Sequence, residues 1–257
     1  MTILVENIEN IRIITLNRPE KLNAITLEMA TELNSALQEA SADSTVKCVI
    51  LTGKGRSFSS GGDVNEMAEH SPKAGELFYK LTDQIHSSFT AILRMKKPVI
   101  NALNGIIAGG ALGIALGGDY RIAAKSTRML SAHFKRGFVP AGGATYLLPR
   151  LIGLGRTQAL FFGGKTLGSA EMLEWGLVHE IVEDEDLKEK SLEWARKLSK
   201  GPISAIAETK KLLIDSDTLS LEEELQIERD RNRESGNSGD AVEGIQAFID
   251  KREPEFE

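Results

Sequence analysis

Residues 98–118 read P-V-I-N-A-L-N-G-I-I-A-G-G-A-L-G-I-A-L-G-G, an uncharged run fenced by Lys96 and Lys97 on one side and by Asp119 and Arg121 on the other. Its length would suit a membrane helix. Pro98, Asn101, Asn104 and six glycines within 104–118 argue against one. The run reads instead as a buried strand over 99–103, a tight turn, and a buried helix starting near Gly109 and Gly110. A parallel strand covered on both faces carries such a continuous apolar sequence. A strand–turn–helix junction leaves free backbone N–H groups at the positive end of a helix dipole, above the carboxyl end of a strand. That geometry suits an anion or a developing oxyanion. The same glycines would equally serve close packing of a helix against a neighbour, and the stretch alone leaves both uses open.

Working outward, the pattern alternates between the two element types. Residues 2–6 and 11–16 predict a β-hairpin. Thr26 is placed as the N-cap of a helix to about Ala40, with Met29, Leu33, Ala36, Leu37 and Ala40 on its apolar face. V-K-C-V-I-L-T (46–52) reads as a strand, followed by a loop rich in glycine and serine, G-K-G-R-S-F-S-S-G-G-D (53–63). A long helix is predicted over 75–95, with Leu77, Leu81, Ile85, Phe89 and Ile92 on one face and Lys96, Lys97 and Pro98 as its stop signal. Short strands near 120–124 and 129–131 come next. From Ala141 the pattern turns helical: short pieces, a last strand over 177–182, then helices over 186–200, 202–215, 220–235 and 239–251, with Pro202 at a first helical position. Strands alternating with helices predict an α/β architecture with a helical C-terminal region.

The chain has 257 residues and a net charge of −6, which points away from nucleic acid and from general membrane-surface binding. Its one cysteine, Cys48, excludes an internal disulfide and any multi-cysteine metal site. The histidines, His70, His86, His133 and His179, show no metal-ligand spacing, so no metal site is expected. No basic segment followed by an apolar one opens the sequence, and a cytoplasmic location is the expectation. F-F-G-G-K-T (161–166) lacks the first glycine of a phosphate-binding loop and the strand before it. No G-x-S-x-G nucleophile elbow is present.

Two glycine-rich turns, F-S-S-G-G-D (58–63) and A-G-G-A (108–111), each follow an apolar strand. If those strands are neighbours, both turns lie at one end of a sheet, and one backbone N–H from each can point at one oxygen. Around these turns the sequence resembles the crotonase superfamily of enoyl-CoA hydratases and isomerases. The resemblance is carried by L-N-R-P-E-K-L-N-A-I near the start, I-L-T-G-K-G-R-S-F-S-S-G-G-D, K-P-V-I-N-A-L-N-G-I-I-A-G-G-A-L-G-I-A-L-G-G-D, G-F-V-P-A-G-G-A-T-Y-L-L-P-R, and the ending A-F-I-D-K-R-E-P-E-F.

The resemblance implies repeated ββα units forming two roughly perpendicular sheets over 1–195. It implies a helical region over 196–257 for oligomerisation and pocket closure, giving a homotrimer or a dimer of trimers. It implies an acyl-CoA enzyme of the lyase or isomerase type in fatty acid metabolism, with a coenzyme A thioester as substrate and no permanently bound cofactor. The oxyanion-hole N–H groups then fall on Ser60 and Gly110. The coenzyme A path falls on Lys21, Asn23, Ala24 and Ile25 with Ser59, Gly61, Gly62 and Asp63, and Phe248 and Lys251 match nucleotide-contacting positions that often act across a subunit boundary. Asp63 reads as a brace for its turn.

Three positions depart from the family pattern. Hydratases carry glutamates where this chain has Gly113 and His133, and isomerases often place an acid where it has Ala141. His133 becomes the candidate acid/base, since an imidazole exchanges protons near neutral pH. His86 aligns with a catalytic histidine of 4-chlorobenzoyl-CoA dehalogenases and with a pocket-lining position elsewhere in the family. The alternative is a catalytically silent acyl-CoA-binding or scaffold protein of the same fold.

Overall fold

The computed structural model describes residues 1–256. The chain opens with a hairpin, β1 (Ile3–Ile8) and β2 (Ile11–Leu16), followed by α1 (Leu27–Ala42). Then come β3 (Cys48–Gly53), β4 (Ser57–Ser59), α2 (Val64–Glu69), α3 (Gly75–Arg94), β5 (Val99–Leu103), β6 (Ile106–Ala108) and α4 (Ala111–Leu116). They are followed by β7 (Tyr120–Ala124), β8 (Arg128–Leu130), α5 (Ala144–Phe162), β9 (Thr166–Gly168), α6 (Ser169–Glu174), β10 (Glu180–Val182) and α7 (Leu187–Ser199). The chain ends in α8 (Ile203–Asp215), α9 (Leu221–Gly236) and α10 (Gly239–Asp250).

Two sheets form. The larger has the order β1-β2-β3-β5-β7-β10, and the smaller β4-β6-β8-β9. Beyond the antiparallel hairpin, every pair in the larger sheet is parallel. Three times the chain runs a strand in the larger sheet and then a short one in the smaller: β3–β4, β5–β6 and β7–β8. This is the repeated ββα plan. Alternation along β3 explains why 46–52 reads as a continuous apolar run. Val49 and Leu51 face the main core with α1 and α3, while Cys48 and Ile50 face a second cluster with Ile100, Ile122 and the α7 residues Leu187, Leu192 and Ala195.

Thr26 caps α1 as read from the sequence, its hydroxyl accepting from the Met29 N–H at 3.2 Å. Several expectations are corrected. The 53–63 loop contains β4, the turn after β5 contains β6, and β9 was not expected at all. Each is a strand of only 3 residues, too short to show a period of two. The segment after Asp63 forms α2, capped by the Asp63 carboxylate. The pieces expected near 142–162 merge into α5, bent at Gly153 (φ 75°, ψ 160°). Pro202 stands at the N-cap of α8, one residue before the helix. α7 runs across position 195, with Ala195 fully buried against the larger sheet.

Candidate active site

β3 and β5 are parallel neighbours, as expected, and the two glycine turns meet. They follow β4 and β6, parallel neighbours in the smaller sheet with Ser57 opposite Ile106. Gly61 and Gly109 both have positive φ, 89° and 55°. A Cβ on Gly61 would lie 2.7 Å from the Ala108 carbonyl oxygen, so only glycine permits this approach. The Gly110 N–H, at the N-cap of α4, has no acceptor among the described residues. The Ser60 N–H is engaged: it donates to the Leu22 carbonyl at 3.0 Å. Of the two expected donors, one is free and the other would have to share or change its acceptor.

His133 lies beside this junction and is buried. Its Nε2 is 4.0 Å from where a Cβ on Gly109 would stand, and its Nδ1 is 3.3 Å from the Ser131 hydroxyl. With the Nδ1 edge on serine, Nε2 faces the turn. Burial first, and the Arg136 charge second, hold the imidazole below its ordinary pKa. It is therefore neutral at neutral pH and able to accept a proton.

A cavity of about 1250 Å³ opens over the junction. Ser60, Gly110, His133, His86, Lys21, Ala24, Gly62 and Asp63 line it. Its apolar wall comes from Leu81, Ile85 and Phe89 of α3, facing Phe138 and Val139. Phe78 and Phe138 meet edge to face with centroids 5.0 Å apart.

The rest of the expected coenzyme A path stands elsewhere. Asn23 is fully buried, and its side chain is consumed by bonds to the Lys54 and Ser57 carbonyls and from the Arg18 N–H. Ile25 is in the core. The Ser59 hydroxyl donates to the Asn23 carbonyl at 2.7 Å and accepts from the Gly61 N–H, so Ser59 and Gly61 build the back of the wall. Phe248 and Lys251 belong to α10 and its C-cap, outside the cavity, with Phe248 86% exposed beside α8 and α9. Asp63 is a brace, as expected. Burial raises its carboxyl, but the Arg18 guanidinium at 2.8 Å and the Asn65 and Glu66 N–H groups outweigh that and hold it below the usual carboxylate range.

Sequence reasoning missed the turn at 141–143. Gly142 and Gly143 both have positive φ, 77° and 83°. A Cβ on Gly113 would lie 1.6 Å from the Gly142 carbonyl oxygen. The place from which a side chain at 113 would start is filled by backbone. The P-A-G-G-A sequence signalled a tight turn at 140–144, but nothing in it told where that turn would pack. His86, expected as a low-ranking catalytic candidate, accepts the Gly142 N–H on Nε2 at 3.2 Å. Among the described residues no group of three or more His, Cys, Asp or Glu side chains is placed to hold a metal ion. No described helix is long and apolar enough to cross a membrane.

With this geometry, the model of the enoyl-CoA hydratase/isomerase family matches residues 6–257. The chain belongs to that family. It is 36% identical to the 1,2-epoxyphenylacetyl-CoA isomerase of Escherichia coli K12 over 244 residues, 95% of this chain and 93% of that one. It is 32% identical to the short-chain-enoyl-CoA hydratase of Clostridium acetobutylicum over 254 residues, 98% and 96% of the two chains. An enoyl-CoA hydratase structure from Bacillus anthracis superposes with a TM-score of 0.94 at 31% identity, covering 100% of this chain and 99% of that one. This member of the enoyl-CoA hydratase/isomerase family therefore shares its fold with hydratases and its sequence with both hydratases and isomerases.

Proposed function

We propose that this protein is an acyl-CoA enzyme that stabilises a thioester enolate and moves a proton along the acyl chain, isomerase-like, without adding water. The observation that carries the reading is the Gly142 carbonyl packed onto Gly113, which leaves no room for a carboxylate at that position. Water addition in the glutamate-bearing pattern calls on two carboxylates, whereas a proton shift needs one base that takes a proton and returns it. In this reading His133 Nε2 removes a proton next to the thioester carbonyl. The electron pair moves onto the thioester oxygen, held by the Gly110 N–H at the positive end of α4. In a β,γ-unsaturated acyl chain the enolate extends over the double bond as a dienolate, and the imidazolium returns the proton to the γ-carbon while the double bond moves from Cβ=Cγ to Cα=Cβ. The reading asks for no cofactor beyond the coenzyme A thioester itself. A cytoplasmic homotrimer or dimer of trimers acting in fatty acid metabolism fits it, with Phe248 and Lys251 reaching the nucleotide of a neighbouring copy.

The test follows an acyl-CoA α-proton in deuterated water. Exchange is expected with the native protein, and its loss in His133→Ala by roughly a hundredfold or more. Crotonyl-CoA incubated with the same protein is expected to keep its enoyl absorbance, and loss at ordinary hydratase speed would overturn the reading. The engaged Ser60 N–H favours a second reading, a silent acyl-CoA-binding or scaffold protein. Under it, no thioester would show exchange.

A further inference from the structure

His86 lines the cavity, yet the proton transfer proposed above does not use it. Its Nε2 lone pair is taken by the Gly142 N–H at 3.2 Å, which leaves the ring proton on Nδ1. The turn it holds is wedged against two helices, with Ala141 and Gly143 on the cavity wall. A Cβ on Gly142 would stand 2.3 Å from the Gly110 carbonyl oxygen and 3.2 Å from Ile85 Cγ2. A Cβ on Gly143 would stand 2.5 Å from the Phe89 ring. The Gly142 carbonyl faces Gly113. The Gly142 peptide is therefore clamped between α3, which supplies His86, Ile85 and Phe89, and the first turn of α4, which supplies Gly110 and Gly113.

We propose that His86 is a positioning residue. Its imidazole fixes the 141–143 turn, and the turn presses on the Gly110 carbonyl from behind. Together they set the direction of the Gly110 N–H and the floor of the acyl cavity. The role is exerted through backbone, so it needs an acceptor at the position of Nε2 rather than a group that titrates. It rests on the reading of Gly110 as the oxyanion donor.

Two substitutions separate this role from others. In glutamine, Oε1 stands as many bonds from Cβ as histidine Nε2 does, so His86→Gln keeps an acceptor. His86→Phe keeps the volume and loses the acceptor. Two readouts are taken on each: kcat and KM for α-proton exchange, and amide hydrogen exchange of the peptide covering 139–146. His86→Phe is expected to lower kcat roughly tenfold to a hundredfold with KM nearly unchanged, and to speed exchange in 139–146 about tenfold. His86→Gln is expected to stay close to the native protein in both. A Gln variant as slow as the Phe variant, with native amide exchange in both, would make His86 a proton-transfer group and overturn the proposal. So would a Phe variant that matches the native protein in either readout. A native protein inert toward every thioester would sink the proposed function, and the amide readout alone would then decide whether His86 clamps the turn.

Discussion

Gly113 shows how one missing atom can set chemistry. Since even a Cβ would meet the Gly142 oxygen at 1.6 Å, Gly113→Ala and Gly113→Glu are expected to lose stability alike, by about 2 kcal/mol or more, read by thermal or denaturant unfolding. Neither is expected to gain crotonyl-CoA hydration. His133 carries the other residue-scale expectation. A base must be neutral to act, and burial and Arg136 both hold this imidazole below its ordinary pKa. The acid limb of the rate–pH profile is therefore expected below about 6.5, the pKa of a free histidine. Removing the positive neighbour raises the pKa, so Arg136→Gln is expected to move that limb to higher pH.

At the scale of elements, α4 offers a clean dissection of the proposed oxyanion donor. Gly110 has φ −63°, close to the angle proline imposes, and a Cβ there would meet only Ile85 Cδ1 at 3.7 Å. Gly110→Ala is expected to keep proton exchange. Gly110→Pro removes the N–H, with Gly110→Ala as the control for an added Cβ, and is expected to cost roughly a hundredfold or more in kcat, with amide exchange of the remaining peptides confirming the fold. Elements also mark what the sequence could and could not disclose. α1, α3 and β5 were readable because each has a long apolar period or run and a plain boundary signal, Thr26, Pro98 or the two lysines before it. β4, β6 and β9 were not, since 3 residues carry no period and β4 sits among serines and glycines that read as loop. In the site, the meeting of the two glycine turns was legible from the order of motifs. The Ser60 bond to Leu22, the burial of Asn23 and the seating of Gly142 on Gly113 were not, because each depends on how segments far apart in the chain pack.

At the scale of the whole molecule, Lys210 of α8 joins the C-terminal helices to the core. Its buried ammonium donates to Asp119 at 2.7 Å and to the Lys97 and Ile92 carbonyls. Asp119→Ala strands that ammonium and is expected to cost about 3–5 kcal/mol. Lys210→Met leaves a carboxylate that still accepts the Val99 N–H at 2.7 Å and is expected to cost about 1 kcal/mol, both measured by urea unfolding. Further out, α9 and α10 expose Leu221, Leu225, Val242, Ile245, Phe248 and Ile249, more apolar surface than scattered single residues would give. If these faces close the proposed trimer, Ile245→Asp is expected to shift sedimentation to the single chain and weaken coenzyme A binding together.

The seating of Gly142 on Gly113 also limits the ways in which this sequence can drift. A side chain at 113 needs the 142 carbonyl elsewhere, and a side chain at 142 meets the Gly110 carbonyl at 2.3 Å. Each glycine thus holds the other in place. A chain reached from this one by single tolerated substitutions keeps both, and a route to a carboxylate at 113 passes through a remodelled 141–143 turn first.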